Sequence, residues 1–155
     1  MIAIVSACML GINCRYDGKN VADAKLLKLV EAGEIVPIPV CPEQLGGLPT
    51  PRKQSEIIGG DGFDVIEGRA KVVTRDGEDI TGYLVKGAKE VLKIAKLVKA
   101  EVAIMKNGSP SCGCGTIYDG TFSGRKVKGF GVTSALLMQN GFKVIDIKEL
   151  KRDNR

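Results

Sequence analysis

The chain has 155 residues, a length that fits one ordinary domain with a sizeable buried core. Hydrophobic residues make up 44% and charged residues 26%, and this balance excludes an intrinsically disordered chain. The net charge of +5 would suit an anionic or nucleotide-like partner. No apolar run is long enough to cross a bilayer, and the N-terminus lacks the features of a secretory signal. We therefore expect one cytoplasmic domain over residues 1–155, with no membrane partner and an oligomeric state that the sequence leaves open.

The sequence contains no histidine and five cysteines. The lack of histidine excludes Ser-His and Cys-His catalysis and removes imidazole from any metal site. An odd number of cysteines in a cytoplasmic chain of this size argues against a disulfide framework, and none of them forms the C-x-x-C pair of a structural zinc site. Any bound metal must therefore be held by cysteines or carboxylates.

The first predicted elements are a strand, a loop and a helix. The β-branched run at residues 2–7 is typical of a strand that is buried on both faces of a sheet. Glycine, asparagine and aspartate over residues 9–18 indicate a loop. Asp23 can cap the helix that comes next, and Gly33 can end it.

A second strand is predicted at residues 35–40. Its Pro37 and Pro39 favour an edge position, because proline cannot donate a hydrogen bond to a neighbouring strand. A loop with three prolines and two glycines follows at residues 41–52. Residues 55–74 could form a hairpin.

The longest predicted helix begins at Thr81, and its apolar residues recur at helical spacing on one face. A third buried strand at residues 102–105 leads into a glycine-rich loop at residues 107–115. A helix over residues 133–140 and a strand over residues 144–147 complete the pattern. We interpret the lysines of the long helix as a solvated face, because no stacking aromatics accompany them. These lysines are Lys86, Lys89, Lys93, Lys96 and Lys99.

Strands that alternate with helices predict an α/β fold, as a single three-layer α/β/α domain around a small, mainly parallel, Rossmann-like sheet. In such sheets, ligands bind beyond the carboxyl ends of the strands. Cys8 follows the first predicted strand, Cys41 follows the second, and Cys112 lies in the loop after the third. These loops should therefore meet at one edge of the sheet, which makes their thiols candidate metal ligands.

Each cysteine taken alone also has a simpler explanation, since a free cysteine is commonly a small buried hydrophobe. The convergence of three loops argues against that explanation for Cys8, Cys41 and Cys112. Cys14 and Cys114 each lie close in sequence to one of these three. Either could be a spare thiol, a resolving thiol or a residue without a role.

The loop NGSPSCGCG at residues 107–115 could turn backbone N–H groups inward, as phosphate-binding loops do. The loop lacks the lysine–serine pair of the Walker motif and the glycine spacing of dinucleotide-binding loops. We therefore favour a different use for its glycines, which is to let backbone amides approach metal-bound sulfur. Glu43 lies two residues beyond Cys41 and could be a general base or a solvated loop glutamate. Ser109 could supply a reactive hydroxyl or only form a turn.

Four segments of the chain together resemble the thiouracil desulfurase family. They occur in the order typical of that family, and the combination of CPEQLGGLPTPR with SPSCG is specific. The segments are SACMLGINCRYDG (6–18), VCPEQLGGLPTPR (40–52), NGSPSCGCGTIYDGTFSG (107–124) and GFGVTSALL (129–137).

This resemblance implies a 4Fe-4S cluster held by Cys8, Cys41 and Cys112, with its fourth iron open to the sulfur of a thiolated base. It also implies that Glu43 and Ser109 are catalytic. The implied reaction is a non-redox desulfuration of thiouracil to uracil and hydrosulfide, with a small thiolated nucleobase as the partner. Further candidates for substrate contact stand in the matching segments, namely Tyr16, Asp17, Arg52 and Asp119.

Three alternatives stay open at this point. The protein could be a non-catalytic sulfur carrier or metal-binding protein. It could also be a module that acts on thiolated tRNA bases, which the net positive charge permits but does not favour. Finally, zinc could take the place of the cluster.

Overall fold

A computed structural model describes residues 1–150 of the chain, and its strands alternate with helices as the sequence predicts. The strands are β1 (Ile2–Ser6), β2 (Val36–Val40), β3 (Ser55–Ile58), β4 (Lys71–Thr74), β5 (Val102–Ile104), β6 (Cys114–Tyr118), β7 (Lys126–Phe130) and β8 (Val144–Ile145). The helices are α1 (Ala24–Glu31), α2 (Pro42–Leu45), α3 (Gly62–Ile66), α4 (Thr81–Val98) and α5 (Val132–Gln139). Short 3₁₀ helices lie at Ala7–Leu10 and Ile147–Glu149.

Four parallel strands form the central sheet in the order β2-β1-β5-β8. The edge position predicted for β2 is confirmed. The Val36 N–H donates to the carbonyl of Met1, so the alternate positions Pro37 and Pro39 face away from β1. The carboxyl ends of β1, β2 and β5 consequently lie side by side.

Helix α1 covers one face of this sheet through contacts between apolar side chains. Ala3 and Val5 of β1 pack there with Leu26 and Leu29 of the helix. The predicted cap of this helix is confirmed, because the Asp23 side chain accepts a hydrogen bond from the Leu26 N–H. This helix is the first outer layer of the fold.

The opposite face is covered by α4 and α5. Ile4 of β1 points to this face because successive side chains of a strand alternate, and it packs with Val91 of α4 and Leu137 of α5. The three-layer α/β/α architecture is therefore confirmed. The lysines of α4 are exposed, as predicted, at Lys86, Lys89, Lys93, Lys96 and Lys99. Within residues 1–150, no helix combines the length and apolar character needed to cross a membrane.

Two antiparallel hairpins lie beside the sheet. The hairpin expected over residues 55–74 is formed by β3 and β4, with the unpredicted α3 between them. The hairpin of β6 and β7 was not predicted, and the expected loop at residues 107–115 ends early because β6 begins at Cys114. Three consecutive residues of β7 are exposed, so the strand has no buried alternating face by which it could be recognised.

Candidate metal centre

The three candidate ligands come together at the carboxyl edge of the sheet. Cys8 lies in the 3₁₀ helix directly after β1, and Cys41 follows β2 as the N-cap residue of α2. Cys112 lies in the loop between β5 and β6. All three line one solvent-open pocket, which also contains Cys14 and Glu43. The structure thus brings together residues that are more than 100 positions apart in the sequence.

Cys14 lies between two of these thiols. Its side chain is within hydrogen-bonding reach of both Cys8 and Cys41, and the Cys41 Sγ lies 3.6 Å from the Cys14 carbonyl oxygen. Cys114 faces elsewhere, since it does not line this pocket and its thiol donates to the Met105 carbonyl at 3.3 Å. The pocket therefore contains four of the five thiols, one more than the resemblance implies.

The pKa values of Cys14, Cys41 and Cys112 are raised, so these thiols are hard to ionise without a metal. Burial and the nearby Glu43 carboxylate raise the pKa of Cys112 to about 12. The pKa of Cys14 is raised to about 11, because the hydrogen bond with Cys8 and burial outweigh the lowering effect of the hydrogen bond with Cys41. The hydrogen bond with Cys14, together with burial, raises the pKa of Cys41. A metal that binds here must therefore displace protons from neutral thiols.

The chemistry of the donor set fits an iron–sulfur cluster, because cysteine thiolates are the usual ligands of such clusters. Within residues 1–150, no group of three or more cysteine, histidine or acidic side chains is close enough together to hold one ion. A structural zinc ion needs ligands that converge on one point, whereas the thiolates of a cluster can bind separate iron atoms. Sulfur donors spaced around a pocket that no histidine enters match the second arrangement.

The Cys112 loop is held in place by its own serines. The Ser109 Oγ accepts hydrogen bonds from the backbone N–H groups of Ser111 and Cys112, both at 3.1 Å. The Ser111 hydroxyl donates to the Cys112 Sγ at 3.5 Å. Ser109 therefore has a clear structural role as a turn former, while its side chain also lines the pocket.

The first turn of α5 fixes the same loop from the other side. The N–H groups of Val132 and Thr133 donate to the carbonyls of Pro110 and Ser111, at 2.8 and 2.9 Å. The Ser134 hydroxyl donates to the Cys112 carbonyl at 2.9 Å. The N–H groups at the start of α5 are thus occupied by the loop. Within the loop, the N–H groups of Ser111 and Cys112 donate to the Ser109 side chain, which argues against the phosphate-binding nest that the glycine-rich sequence could suggest.

Glu43 lies in the first turn of α2 and faces the pocket. Its side chain is only 14% exposed, with one carboxylate oxygen 3.9 Å from the Cys41 Sγ and the other 3.9 Å from Nη2 of Arg52. A solvated loop position, one of the two interpretations open from the sequence, does not describe this residue. A partly buried carboxylate beside candidate ligands is suited to proton transfer.

The four candidates for substrate contact are divided by the structure. Tyr16 and Arg52 line the pocket, whereas Asp17 and Asp119 do not. The Asp17 carboxylate pairs with Arg15 at 3.3 Å. Hydrogen bonds from the Thr121 hydroxyl and N–H occupy Asp119 and hold the pKa of its carboxyl below the usual range.

Tyr118 and Lys106 also line the pocket, although the sequence did not identify them as candidates. Tyr118 lies on β6, and its position could not be anticipated without the unpredicted hairpin. Lys106 lies two residues beyond the end of β5, and its Nζ donates to the Asn107 carbonyl at 2.7 Å. The position of Lys106 beyond a predicted strand end was the one signal that could have identified it.

Comparison with known proteins identifies the family of this chain. The model of the 2-thiouracil desulfurase family matches residues 3–149. A Bacillus subtilis (strain 168) protein of uncharacterized function, YbbK, is 52% identical over 147 residues, which cover 95% of this chain and 96% of the relative. A solved structure named 4Fe-4S-dependent thiouracil desulfidase TudS is 39% identical with a TM-score of 0.80, over 96% of this chain and 91% of that one. The chain therefore belongs to the 2-thiouracil desulfurase family.

Proposed function

We propose that the protein removes sulfur from thiouracil and releases uracil and hydrosulfide, with the help of a 4Fe-4S cluster. The observation that carries this proposal is the pocket in which Cys8, Cys41 and Cys112 surround a space that Glu43 also faces. A solved structure 39% identical to this chain is named as a 4Fe-4S-dependent thiouracil desulfidase, which supports the same activity here. The reaction is a substitution by water, in which a carbon–oxygen bond forms, the carbon–sulfur bond breaks and no electrons are transferred overall.

Cys8, Cys41 and Cys112 would hold the cluster in this proposal. When bound by three protein thiolates, a 4Fe-4S cluster offers one iron as a soft Lewis acid for the sulfur of the substrate. Cys14 is left as a neighbouring thiol that does not ligate. The hydrogen bond from the Ser111 hydroxyl orients the Cys112 sulfur, as partners of ligand atoms commonly do in metal sites.

Glu43 would accept the proton of the attacking water at one of its carboxylate oxygens. Its position between Cys41 and Arg52 holds the carboxylate at the pocket wall rather than in bulk solvent. The Ser109 hydroxyl lines the pocket and would exchange a proton with the substrate there, while the buried Ser111 hydroxyl 3.1 Å away helps to orient it. Tyr16 and Tyr118 line the pocket and offer aromatic surface on which a pyrimidine ring can stack.

The ligand assignment is tested with two alanine variants of neighbouring cysteines. Cys112→Ala should lose the iron, the brown colour and thiouracil turnover after anaerobic reconstitution, because a cluster ligand is missing. Cys114→Ala is the matched control, since it changes a buried thiol of the same segment that does not line the pocket. Iron and acid-labile sulfide are quantified alongside activity. A Cys112→Ala protein that remains brown and active would refute this ligand set.

The same assay separates an enzyme from a sulfur carrier. An enzyme should release several equivalents of uracil and hydrosulfide per chain from free thiouracil. A carrier would retain the sulfide and stop after about one equivalent. Product counting by chromatography and a sulfide assay decides between the two, and a single turnover would contradict the proposal.

A further inference from the structure

Arg52 lines the pocket, and its side chain is largely withdrawn from solvent. Its side chain is 9% exposed, although it carries a full positive charge. The other arginine of the pocket, Arg15, is 37% exposed at its side chain and pairs with Asp17. Taking a guanidinium out of water is costly unless it is paired and hydrogen-bonded, so the contacts of Arg52 must compensate for its burial.

The guanidinium of Arg52 is occupied by protein groups. Nη1 donates to the Pro49 carbonyl at 3.3 Å and to the Thr50 hydroxyl at 3.1 Å. Nη2 donates to the Cys14 carbonyl at 3.0 Å and lies 4.0 Å from the Cys41 Sγ. The same nitrogen lies 3.9 Å from a Glu43 carboxylate oxygen. A guanidinium engaged in this way has little capacity left for a substrate carbonyl.

Arg52 also connects two segments that contain pocket thiols, the loop with Cys14 and the start of α2 with Cys41. Its backbone N–H donates to the Tyr16 carbonyl at 2.8 Å, and its side chain holds the Cys14 carbonyl of the same loop. Through Nη2 it reaches Cys41 and Glu43 at the start of α2. The forked, planar shape of arginine is needed for this set of contacts, and lysine cannot reproduce it.

We propose that Arg52 is a positioning residue, which fixes the Cys41 sulfur and the Glu43 carboxylate relative to each other and donates a hydrogen bond to a sulfur that ligates the cluster. This proposal rests on the function proposed above, and it replaces the substrate contact that the sequence suggested for Arg52. Hydrogen bonds and positive charge near cluster sulfurs stabilise the reduced state. Removing the guanidinium should therefore lower the reduction potential of the cluster.

The first test measures the reduction potential and the steady-state kinetics of Arg52→Gln and Arg52→Lys. We expect both variants to bind iron, with a more negative potential and a kcat for thiouracil lower by about 10- to 100-fold at a nearly unchanged KM. Arg52→Lys should fall between wild type and Arg52→Gln, because it keeps the charge and loses the fork. Arg69→Gln is the control, since it removes an arginine charge that is 61% exposed and outside the pocket. An unchanged potential with a raised KM and a normal kcat would overturn the proposal in favour of substrate binding.

The second test needs no cluster, so it distinguishes failure of this proposal from failure of the proposed function. Thermal unfolding of the metal-free protein is compared for Arg52→Gln, Glu43→Gln and the double variant. If Arg52 holds Glu43, the double variant should lose less in Tm than the sum of the two single losses. Additive losses would overturn the positioning role, even if the wild-type protein bound no cluster at all.

Discussion

The chemical role that we propose for Glu43 depends on the immediate neighbours of its carboxylate. On the sequence it is only a glutamate two positions after a cysteine, whereas in the fold it lies between the Cys41 thiol and the Arg52 guanidinium. Glu43→Gln keeps the size of the side chain and removes its basicity. We expect this variant to bind iron as wild type does and to turn over thiouracil about 100-fold more slowly, in the range typical of a lost general base.

This expectation is checked by measuring kcat together with iron content under anaerobic conditions. Glu67→Gln, a change of an exposed glutamate outside the pocket, is the control. Wild-type turnover in the Glu43→Gln variant would remove Glu43 from the mechanism, whereas loss of iron would show that its role is in assembly.

Stability measurements can separate the structural role of Ser109 from the catalytic role that we propose for it. Its oxygen accepts two backbone N–H groups of the Cys112 loop, and Ser109→Ala would leave both donors without that partner. We expect the free energy of unfolding of the metal-free protein to fall by about 1–3 kcal/mol. Denaturant titration against Ser123→Ala, an exposed loop serine, provides the comparison. If Ser109→Ala unfolds as wild type does but loses activity, the role of Ser109 is chemical alone.

At this scale the sequence predicted the grouping of Cys8, Cys41 and Cys112 in one pocket better than it predicted their surroundings. Cys8, Cys41 and Cys112 could be grouped because each follows a predicted strand. The place of Cys14 between two of these thiols depends on how the loop over residues 9–18 folds back, which no periodic pattern specifies. The contacts of Arg52 depend in the same way on the path of the loop that precedes it.

Helix α2 carries Glu43, and close glycine contacts hold it against α4. A Cβ at Gly87 of α4 would lie 1.9 Å from the Pro42 carbonyl oxygen, and one at Gly46 would lie 2.0 Å from the Tyr83 carbonyl oxygen. The two backbones are therefore too close for any side chain at these positions. This spacing explains how a helix of only four residues can be held in a fixed position, and with it the carboxylate of Glu43.

Gly87→Ala should consequently push α2 away from α4. We expect a loss of about 1–3 kcal/mol in the free energy of unfolding, the usual range for overpacking, and lower thiouracil turnover because Glu43 moves. Gly82→Ala is the matched control on the same helix, since nothing lies within 4 Å of its added Cβ. Its stability should be unchanged or slightly raised. Equal stabilities of the two variants, measured by denaturant unfolding, would contradict the packing argument.

The predicted elements were right where the apolar pattern was long or well bounded. Thr81 opens α4, Asp23 caps α1, and the strand beginning at Val102 is buried throughout. Short elements were missed, because four or five residues such as those of α2 and α3 carry too little periodicity to be recognised. The β6–β7 hairpin was missed for a related reason, since its strands contain glycines and exposed polar residues.

For the molecule as a whole, the rule that ligands bind at the carboxyl edge of a parallel sheet gave the position of the site. The buried apolar residues of the described chain form three clusters, which we call cores. Two of these cores lie on opposite faces of this sheet, and the third joins the hairpins to α4. Since α4 contributes to both the second and the third core, we propose that the chain acts as a single domain. What the sequence could not give is the arrangement of the hairpins around the pocket, because it depends on contacts between segments that are distant along the chain.

These cores are formed mostly by residues outside the pocket, so the fold should not depend on the cluster. We expect removal of the cluster with a chelator under reducing, anaerobic conditions to leave the far-ultraviolet circular dichroism unchanged and to lower the Tm, because a bound group stabilises the folded state. Reconstitution should restore the Tm. Loss of secondary structure on chelation, as in small domains that fold only around a metal, would contradict this expectation.

The two prolines of β2 have a consequence for how copies of this molecule meet. The backbone nitrogens of Pro37 and Pro39 point outward from that strand. As proline nitrogens, they carry no hydrogen that could be donated. An extended segment that approached from solvent could not complete a ladder there, so growth of the sheet from one molecule into the next is blocked on this side. We therefore expect that, at high concentration, molecules of the protein do not associate edge to edge through β2.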